Sequence, residues 1–331
     1  NNRAVVRRFF KKNDGAKAEI FSNGHARRKT SSHVKKVGLK PKKGWAKRNF
    51  LTQVLIPSLF TRREGGAARN AVFPELKPAE IGITWIGHAS FLVQVDGVNL
   101  LIDPNWSKWL KVIKRIKHPG IHIHDLPSID LVLVTHAHFD HLDRKTLREV
   151  AEDQPVVVPF EVGNLVHDLG FKSVHELHYW EKYEHGPLKI SLTPCHHWGA
   201  RMLHDSHRGF GGYVIEVNGR SIFHCGDTAY FEGFKEIGER FDIDLALLPI
   251  GAYDPPSGRE VHMNPEEAVQ AFIDLKAKRL VPMHFGTFRL SYEPLHEPPV
   301  RLLACAREHG IAEKVFVMTE GQPEVFGPVA D

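Results

Sequence analysis

Sulfur is scarce in this sequence: three cysteines and four methionines in 331 residues. Cys195, Cys225 and Cys305 are odd in number and too few for a disulfide scaffold; they read as buried thiols in a reducing compartment, which implies a cytoplasmic protein. No apolar run approaches the roughly 18–20 residues that a membrane span needs, so a transmembrane protein is excluded. The first residues, Asn1-Asn2 in place of Met, lack the charged, apolar and small-residue order of a secretory signal. No short repeat period points to a solenoid or propeller. With 42% apolar and 25% charged residues, the composition is that of a globular chain and not of a disordered, collagenous or coiled-coil one. Histidine is what the sequence has in excess, 22 residues against 27 glycines.

Charge divides the chain. Residues 1–70 carry 19 Lys and Arg against three Asp and Glu, a net of +16, and residues 71–331 carry a net of −11. The stretch 1–44 has little hydrophobic periodicity and reads as an extended basic arm. Over 45–60 the text becomes apolar with basic flanks (Lys47, Arg48, Arg62, Arg63), consistent with a short amphipathic helix as far as Pro57. That segment either packs on the main domain or attaches peripherally to an anionic membrane surface. A third reading is a basic arm that recruits nucleic acid.

The main domain, 71–331, alternates strands and helices. Strands are expected at 82–86, 91–95, 99–102, 129–134, 156–158, 188–193, 212–217, 220–224, 244–249, 279–283 and 315–318. Asp96-Gly97 and Asn218-Gly219 are hairpin turn signals. The unbroken apolar run 129–134 suits a strand covered on both faces. Helices are expected at 144–152, 161–168, 232–239, 264–276 and 298–309. The fourth opens Asn264-Pro265-Glu266-Glu267, with an N-cap residue, a proline at the first helical position and early acids. Hairpins interspersed with helices point to layered sheets with helices outside, an α/β class.

The chemistry falls where strands end. Thr135-His136-Ala137-His138-Phe139-Asp140-His141 directly follows the buried run and places four metal-capable side chains in six residues. In an extended segment alternate residues share a face, so His136 and His138 can converge on one ion. As the chain turns, Asp140 and His141 can face a neighbouring one. Imidazole and carboxylate suit zinc, manganese or iron, with no thiolate required. Three later strand ends supply more: His196-His197, of which His197 is preferred; Gly226-Asp227, a carboxylate able to bridge two ions; and His284.

Together these segments resemble the metallo-β-lactamase superfamily, in ordered spacing from about 84 to 320. Within it the chain is most similar to the N-acylphosphatidylethanolamine-hydrolysing phospholipase D group and its bacterial relatives. The similarity rests on Thr84-Trp85-Ile86-Gly87-His88-Ala89-Ser90, Asp103-Pro104, His197-Trp198, Gly226-Asp227-Thr228, Gly251-Ala252-Tyr253, His262-Met263-Asn264-Pro265 and His284-Phe285-Gly286, besides the histidine loop. The resemblance implies an αββα sandwich of two mixed β-sheets with a metal site at one edge. It assigns His136, His138 and His197 to one zinc, Asp140, His141 and His284 to a second, and Asp227 to both. It also implies a role near phosphate for His262. Asp103 suits a supporting hydrogen bond to a ligand histidine, His88 similar support, and Tyr253 the substrate entrance.

The function so implied is a phosphodiesterase of the phospholipase D type. A hydroxide bridging two ions would attack the phosphorus of an N-acylphosphatidylethanolamine-type lipid, with Asp140 and His262 in catalytic roles. A lactonase or β-lactamase-type hydrolase, whose hydroxide would attack a carbonyl, is the first alternative, and a nucleic-acid processing factor the second. An oligomer is compatible with each.

Overall fold

The computed structural model describes residues 49–65, 71–202 and 205–329. The unit that carries the fold begins at Phe50. The basic arm expected over 1–44, and residues 45–48 of the apolar segment, lie outside the described residues.

A π-helical turn, Leu51–Leu55, leads into helix α1 (Ile56–Phe60). Sequence reasoning ended this helix at Pro57, because proline lacks an N–H and crowds the carbonyl one turn back. The wider π turn relieves that conflict, and the chain stays helical to Phe60.

Strands β1 (Ile81–Gly87), β2 (Ser90–Val95) and β3 (Val98–Ile102) form consecutive hairpins. The short pair β4 (Trp109–Leu110) and β5 (Ile113–Lys114) follows. Then come β6 (Leu131–Leu133), α2 (Arg144–Val150), β7 (Pro155–Pro159), β8 (Ser173–Leu177) and β9 (Lys182–His185). The second half runs β10 (Leu188–Thr193), β11 (Gly212–Val217), β12 (Arg220–His224), α3 (Gly233–Arg240), β13 (Leu245–Pro249), α4 (Pro265–Asp274), β14 (Arg279–Met283), α5 (Glu297–Glu308) and β15 (Pro323–Phe326).

Two mixed sheets result, in the orders β15-β1-β2-β3-β6-β7-β8 and β14-β13-β12-β11-β10-β9. Period-two alternation assigns the faces. Ile81, Ile83 and Trp85 point into a core shared with Ile190, Tyr213, Ile222 and Leu245 of the second sheet. Ile86, Leu92, Val132 and Val156 instead face Leu147 and Val150 of α2. On the far side, Phe234 of α3, Phe272 of α4 and Leu302 of α5 join the main core. The layers are therefore helix, sheet, sheet, helix: the α/β sandwich expected from the sequence.

Two expected elements are absent. At 161–168 there is only a 3-10 turn, Gly163–Leu165. The Glu176 carboxylate on β8 accepts from the N–H groups of Glu161 and Gly163, which takes up the donors a helix start would leave open. At 315–318 a single bridge joins Val315 to Leu280, and the place beside β1 is taken by β15. No helix among the described residues is long and apolar enough to cross a membrane. All three cysteines are buried, and none is in a disulfide.

Candidate metal centre

The fold brings five chain segments to one edge. β3 and β6 are parallel neighbours in the first sheet, and β12, β13 and β14 in the second. β10 is antiparallel to β11, which is antiparallel to β12, so β10 and β12 finish on the same side. The residues just beyond these strands are Asp103, Thr135–His141, His197, Asp227 and His284.

Asp103 organises the histidine loop. Its buried carboxylate accepts from Thr135 N–H (2.7 Å), from the Thr135 hydroxyl (2.6 Å) and from His141 Nδ1 (2.7 Å). One side chain thus ties the first residue of the loop to the last. With its hydrogen committed to Asp103, Thr135 Oγ1 can only accept from His136 Nδ1, 3.0 Å away. His197 Nδ1 donates to the Val261 carbonyl (2.9 Å). These three contacts place the proton on Nδ1 of His136, His141 and His197 and turn each Nε2 lone pair inward, as metal-ligating histidines require. Beyond the loop, Asp143 caps α2 by accepting from Thr146 N–H, so the chain leaves the site as a helix.

Asp227 stands at the centre. Gly226 before it has φ +63°, and a Cβ there would meet the Gly211 carbonyl at 2.8 Å and Thr135 at 3.1 Å, so only glycine lets the strand turn this close to the loop. Asp227 Oδ2 lies 3.2 Å from His141 Nε2, 3.0 Å from His284 Nε2, 3.9 Å from Nε2 of both His136 and His197, and 3.8 Å from His262 Nδ1. His138 Nδ1 is 3.0 Å from His136 Nε2 and 3.2 Å from His197 Nε2. Asp140 Oδ2 is 3.4 Å from His284 Nε2 and 3.7 Å from His141 Nε2, and it accepts from His88 Nε2 at 3.0 Å. The ligand atoms fall into overlapping groups: His136, His138, His197 and Asp227; His88, Asp140, His141 and His284; and Asp227, His262 and His284.

These residues fit a metal. Ligand atoms around a tetrahedral ion with bonds of about 2.0 Å stand about 3.3 Å apart, and the spacings above straddle that value. Nε2 of His141 and of His284, Oδ1 of Asp227 and Nδ1 of His262 are buried with no hydrogen-bond partner, an arrangement that is costly unless another group fills the space between them. Backbone strain is present here as well: His88, Asp103 and His284 have φ of 57°, 45° and 61°. Non-glycine residues hold that conformation only where their surroundings impose it.

Charge is arranged unevenly. Burial, with neighbouring imidazoles adding to it, holds His136 and His197 well below the ordinary histidine range. Burial takes His138 and His262 down to about 4 and His88 to about 3. Burial acts the same way on His284 and His141, but the carboxylates overcome it: Asp227 and Asp140 raise His284 to about 9, and Asp227, Asp103 and Asp140 hold His141 well above its ordinary value. Asp140 and Asp227 remain ionised despite burial because histidines surround them. The site stays open to solvent on the side of His138 and Asp140, which are only partly buried.

All seven expected ligand positions meet in this cluster. His262 and His88 are also inside it, ring against ring with His284 at centroid separations of 5.2 and 4.0 Å. Asp103 sits behind His141. Tyr253 is placed elsewhere: it is buried, its hydroxyl donates to Glu297 at 2.8 Å, and the Arg301 guanidinium lies 4.9 Å from its ring. Sequence reasoning missed Thr135 as the loop's clamp. It also missed Asn105, whose amide donates to the carbonyls of Phe139 and Asp140, and Arg201, which donates to those of Ala137 and Leu142. Asn105 follows Asp103-Pro104 closely enough to have invited attention; Arg201 carries no local signal.

Comparison with known proteins agrees with this geometry. A family model described as the beta-lactamase superfamily domain matches residues 98–285, more than half of the chain. A metal-dependent hydrolase of Pyrobaculum aerophilum is 35% identical over 246 residues, 72% of this chain and 97% of that protein. The mitochondrial N-acyl-phosphatidylethanolamine-hydrolyzing phospholipase D of Saccharomyces cerevisiae is 34% identical over 259 residues, 73% of this chain and 55% of that protein. The chain thus spans about half of the yeast protein's length, and 66% of that of three mycobacterial relatives at the same identity. Among solved structures, a metallo hydrolase of Ignicoccus hospitalis superposes with a TM-score of 0.60 at 27% identity, covering 76% of this chain and all of that one. The chain belongs to the metallo-β-lactamase superfamily and is similar to metal-dependent hydrolases and to N-acylphosphatidylethanolamine-hydrolysing proteins.

Proposed function

We propose that this chain is a binuclear phosphodiesterase that hydrolyses N-acylphosphatidylethanolamine-type phospholipid to phosphatidic acid and the N-acylethanolamine. The observation that supports the two-metal reading is the position of Asp227 Oδ2, 3.9 Å from Nε2 of His136 and His197 and 3.2 and 3.0 Å from Nε2 of His141 and His284. The substrate class is supported by the yeast relative and by a Caenorhabditis elegans protein of the same printed activity, 32% identical over 226 residues.

His136, His138 and His197 would hold one zinc, Asp140, His141 and His284 the other, and Asp227 both; manganese and iron suit the same donors. Such ions supply Lewis acidity and an ionised water at neutral pH. The protein's own contribution is orientation. Asp103, Thr135 and the Val261 carbonyl fix the ligand tautomers. His88 donates to Asp140 and holds its carboxylate in place. His262, kept neutral by burial, presents an unpartnered Nδ1 to the centre of the cluster, where it would hydrogen-bond an oxygen of the phosphate group.

The test is a comparison on one zinc-loaded preparation of four substrates: N-acylphosphatidylethanolamine in mixed micelles, bis(p-nitrophenyl) phosphate, a lactone and a chromogenic cephalosporin. Turnover of the two phosphodiesters, with both lost in Asp140→Asn, is the expected result. Preference for the lactone or the cephalosporin overturns the phosphodiesterase reading in favour of attack at a carbonyl. Salt-sensitive RNA binding without turnover of any of the four would favour the nucleic-acid reading.

A further inference from the structure

Large apolar side chains exposed to solvent are unevenly spread among the described residues. Phe60, at the end of α1, is 84% exposed, and Leu51 55%. Val112 and Trp109, on the β4–β5 hairpin, are 67% and 44% exposed, and Met202 is 48% exposed. Polar contacts make these one surface. Lys114 Nζ on β5 donates to the carbonyls of Leu59 (2.8 Å) and Thr61 (2.7 Å), which joins α1 to the hairpin. The Arg63 guanidinium lies 5.9 Å from the Trp109 ring, and its Nε donates to the Arg115 carbonyl at 3.1 Å. At the hairpin tip, Lys111 Nζ is 3.9 Å from Met202 Sδ and 4.0 Å from the Phe139 ring centroid.

Phe139 immediately precedes Asp140, so this surface runs from α1 across the hairpin to the rim of the metal centre. It is also cationic. Lys108 and Lys111 are exposed on it and Arg63 and Lys114 half-buried, whereas Arg115 is buried and Lys117 is paired with Glu320. His118, beside the hairpin, is held below the ordinary histidine range by burial and by Arg63, Lys108 and Arg115, a second sign of local positive potential. Apolar side chains standing out of a basic rim match the two layers of an anionic lipid surface: aromatic and aliphatic tips enter the acyl boundary, and the amines meet the phosphates. A patch of this kind on a monomer marks an interaction site.

We infer that α1 and the β4–β5 hairpin form an interfacial docking face by which the enzyme sits on an anionic bilayer, with Phe60, Trp109 and Val112 inserted and the metal centre's open side turned to the lipid. The inference deepens the phospholipid reading and rests on it for the choice of occupant. The insertion itself is measurable without turnover.

The experiment uses the full chain and vesicles of phosphatidylcholine with phosphatidylglycerol, free of N-acylphosphatidylethanolamine, in about 0.5 M NaCl to screen purely electrostatic attachment. Wild type is expected to co-sediment, and Phe60→Asp/Val112→Asp to lose about tenfold in bound fraction while its turnover of water-soluble bis(p-nitrophenyl) phosphate is unchanged. Brominated acyl chains should quench wild-type tryptophan emission more than that of Trp109→Phe. Equal binding by wild type and the double variant, or no difference in quenching, overturns the docking face. So does a wild-type dimer that the double variant abolishes without any change in vesicle binding, since a second copy would then be the occupant. Docking without cleavage of any phospholipid leaves the face standing and refutes the substrate instead.

Discussion

His136 and His197 face one carboxylate, Asp227 at 3.9 Å, and His138 feels Asp140 and Asp227, which burial outweighs. His284 faces two, at 3.0 and 3.4 Å, and His141 three, at 2.7–3.7 Å. The difference sets what each group does before any cation arrives. Burial leaves the three-histidine group neutral, with its lone pairs ready. In the other group the carboxylates win against burial, and His141 and His284 carry protons in a metal's place. Two halves of one cluster, built from the same residue types, therefore meet a metal with different proton stakes.

The largest effect that breaks this comparison comes from Asp227, the residue both halves share. Asp227→Asn keeps the shape and removes the charge. Phosphodiester turnover should fall by about 10³-fold or more, and equilibrium dialysis should find weaker retention of metal in both groups. Weakening confined to one group would mean that Asp227 is not shared.

Asp103→Asn sharpens the contrast. The amide keeps one acceptor oxygen where two now serve. With it in the place of Oδ2 the new NH2 faces the Thr135 N–H, and turned over the NH2 faces the Thr135 hydroxyl and His141 Nδ1. The loss of charge therefore weakens the His141 contact and reaches the three-histidine group only through Thr135. Affinity at the Asp140–His141–His284 group should drop by about 10–100-fold, with a smaller change at the other. Competition with a chromogenic chelator measures the two steps.

The pH prediction follows from His284. Its folded value, about 9, lies above its ordinary 6.5, so its proton stabilises the metal-free fold fully below about 6.5, and that contribution is lost as pH rises through 9. A cation must displace the same proton, so occupancy of this group should rise with pH toward about 9. The other group, with His138 at about 4, should bind with little pH dependence above pH 6. Calorimetry in buffers of different ionisation enthalpy reads the protons released at each step.

The smallest effect belongs to the loop's outer brace. Arg201→Ala removes the hydrogen bonds to Ala137 and Leu142 and should cost about 1–3 kcal/mol of stability, seen as a lower midpoint in urea, with metal stoichiometry unchanged.

The same contrast explains what the sequence made legible. Ligand positions lie just past apolar strands, where a buried run meets a dense group of polar residues, and such a junction is visible in one dimension. Supporting contacts such as Arg201 to Ala137 join residues far apart in the chain and leave no local pattern. The sandwich core was readable for a related reason: β6 and β13 are continuous apolar runs, and β1 sets Ile81, Ile83 and Trp85 on one face. β8 and β9, with His175, Glu176, Lys182 and Glu184, lie at sheet edges where alternation is weak, and they were missed. β15 begins with a proline, which is tolerated at the first residue of an edge strand but argues against a strand when met in sequence. In the segment 251–253, Gly251 packs on the His284 carbonyl beside the site, while the Tyr253 hydroxyl reaches α5.

The central claim is that one carboxylate joins two metal-holding groups. Its most direct test is a calorimetric titration of zinc into metal-free full-length chain at pH 8.5, beside the same titration of Asp227→Asn. Two equivalents bound in separable steps by the wild type, with both steps weakened in the variant, is the predicted result. A single equivalent in the wild type, or two undiminished steps in Asp227→Asn, would contradict it.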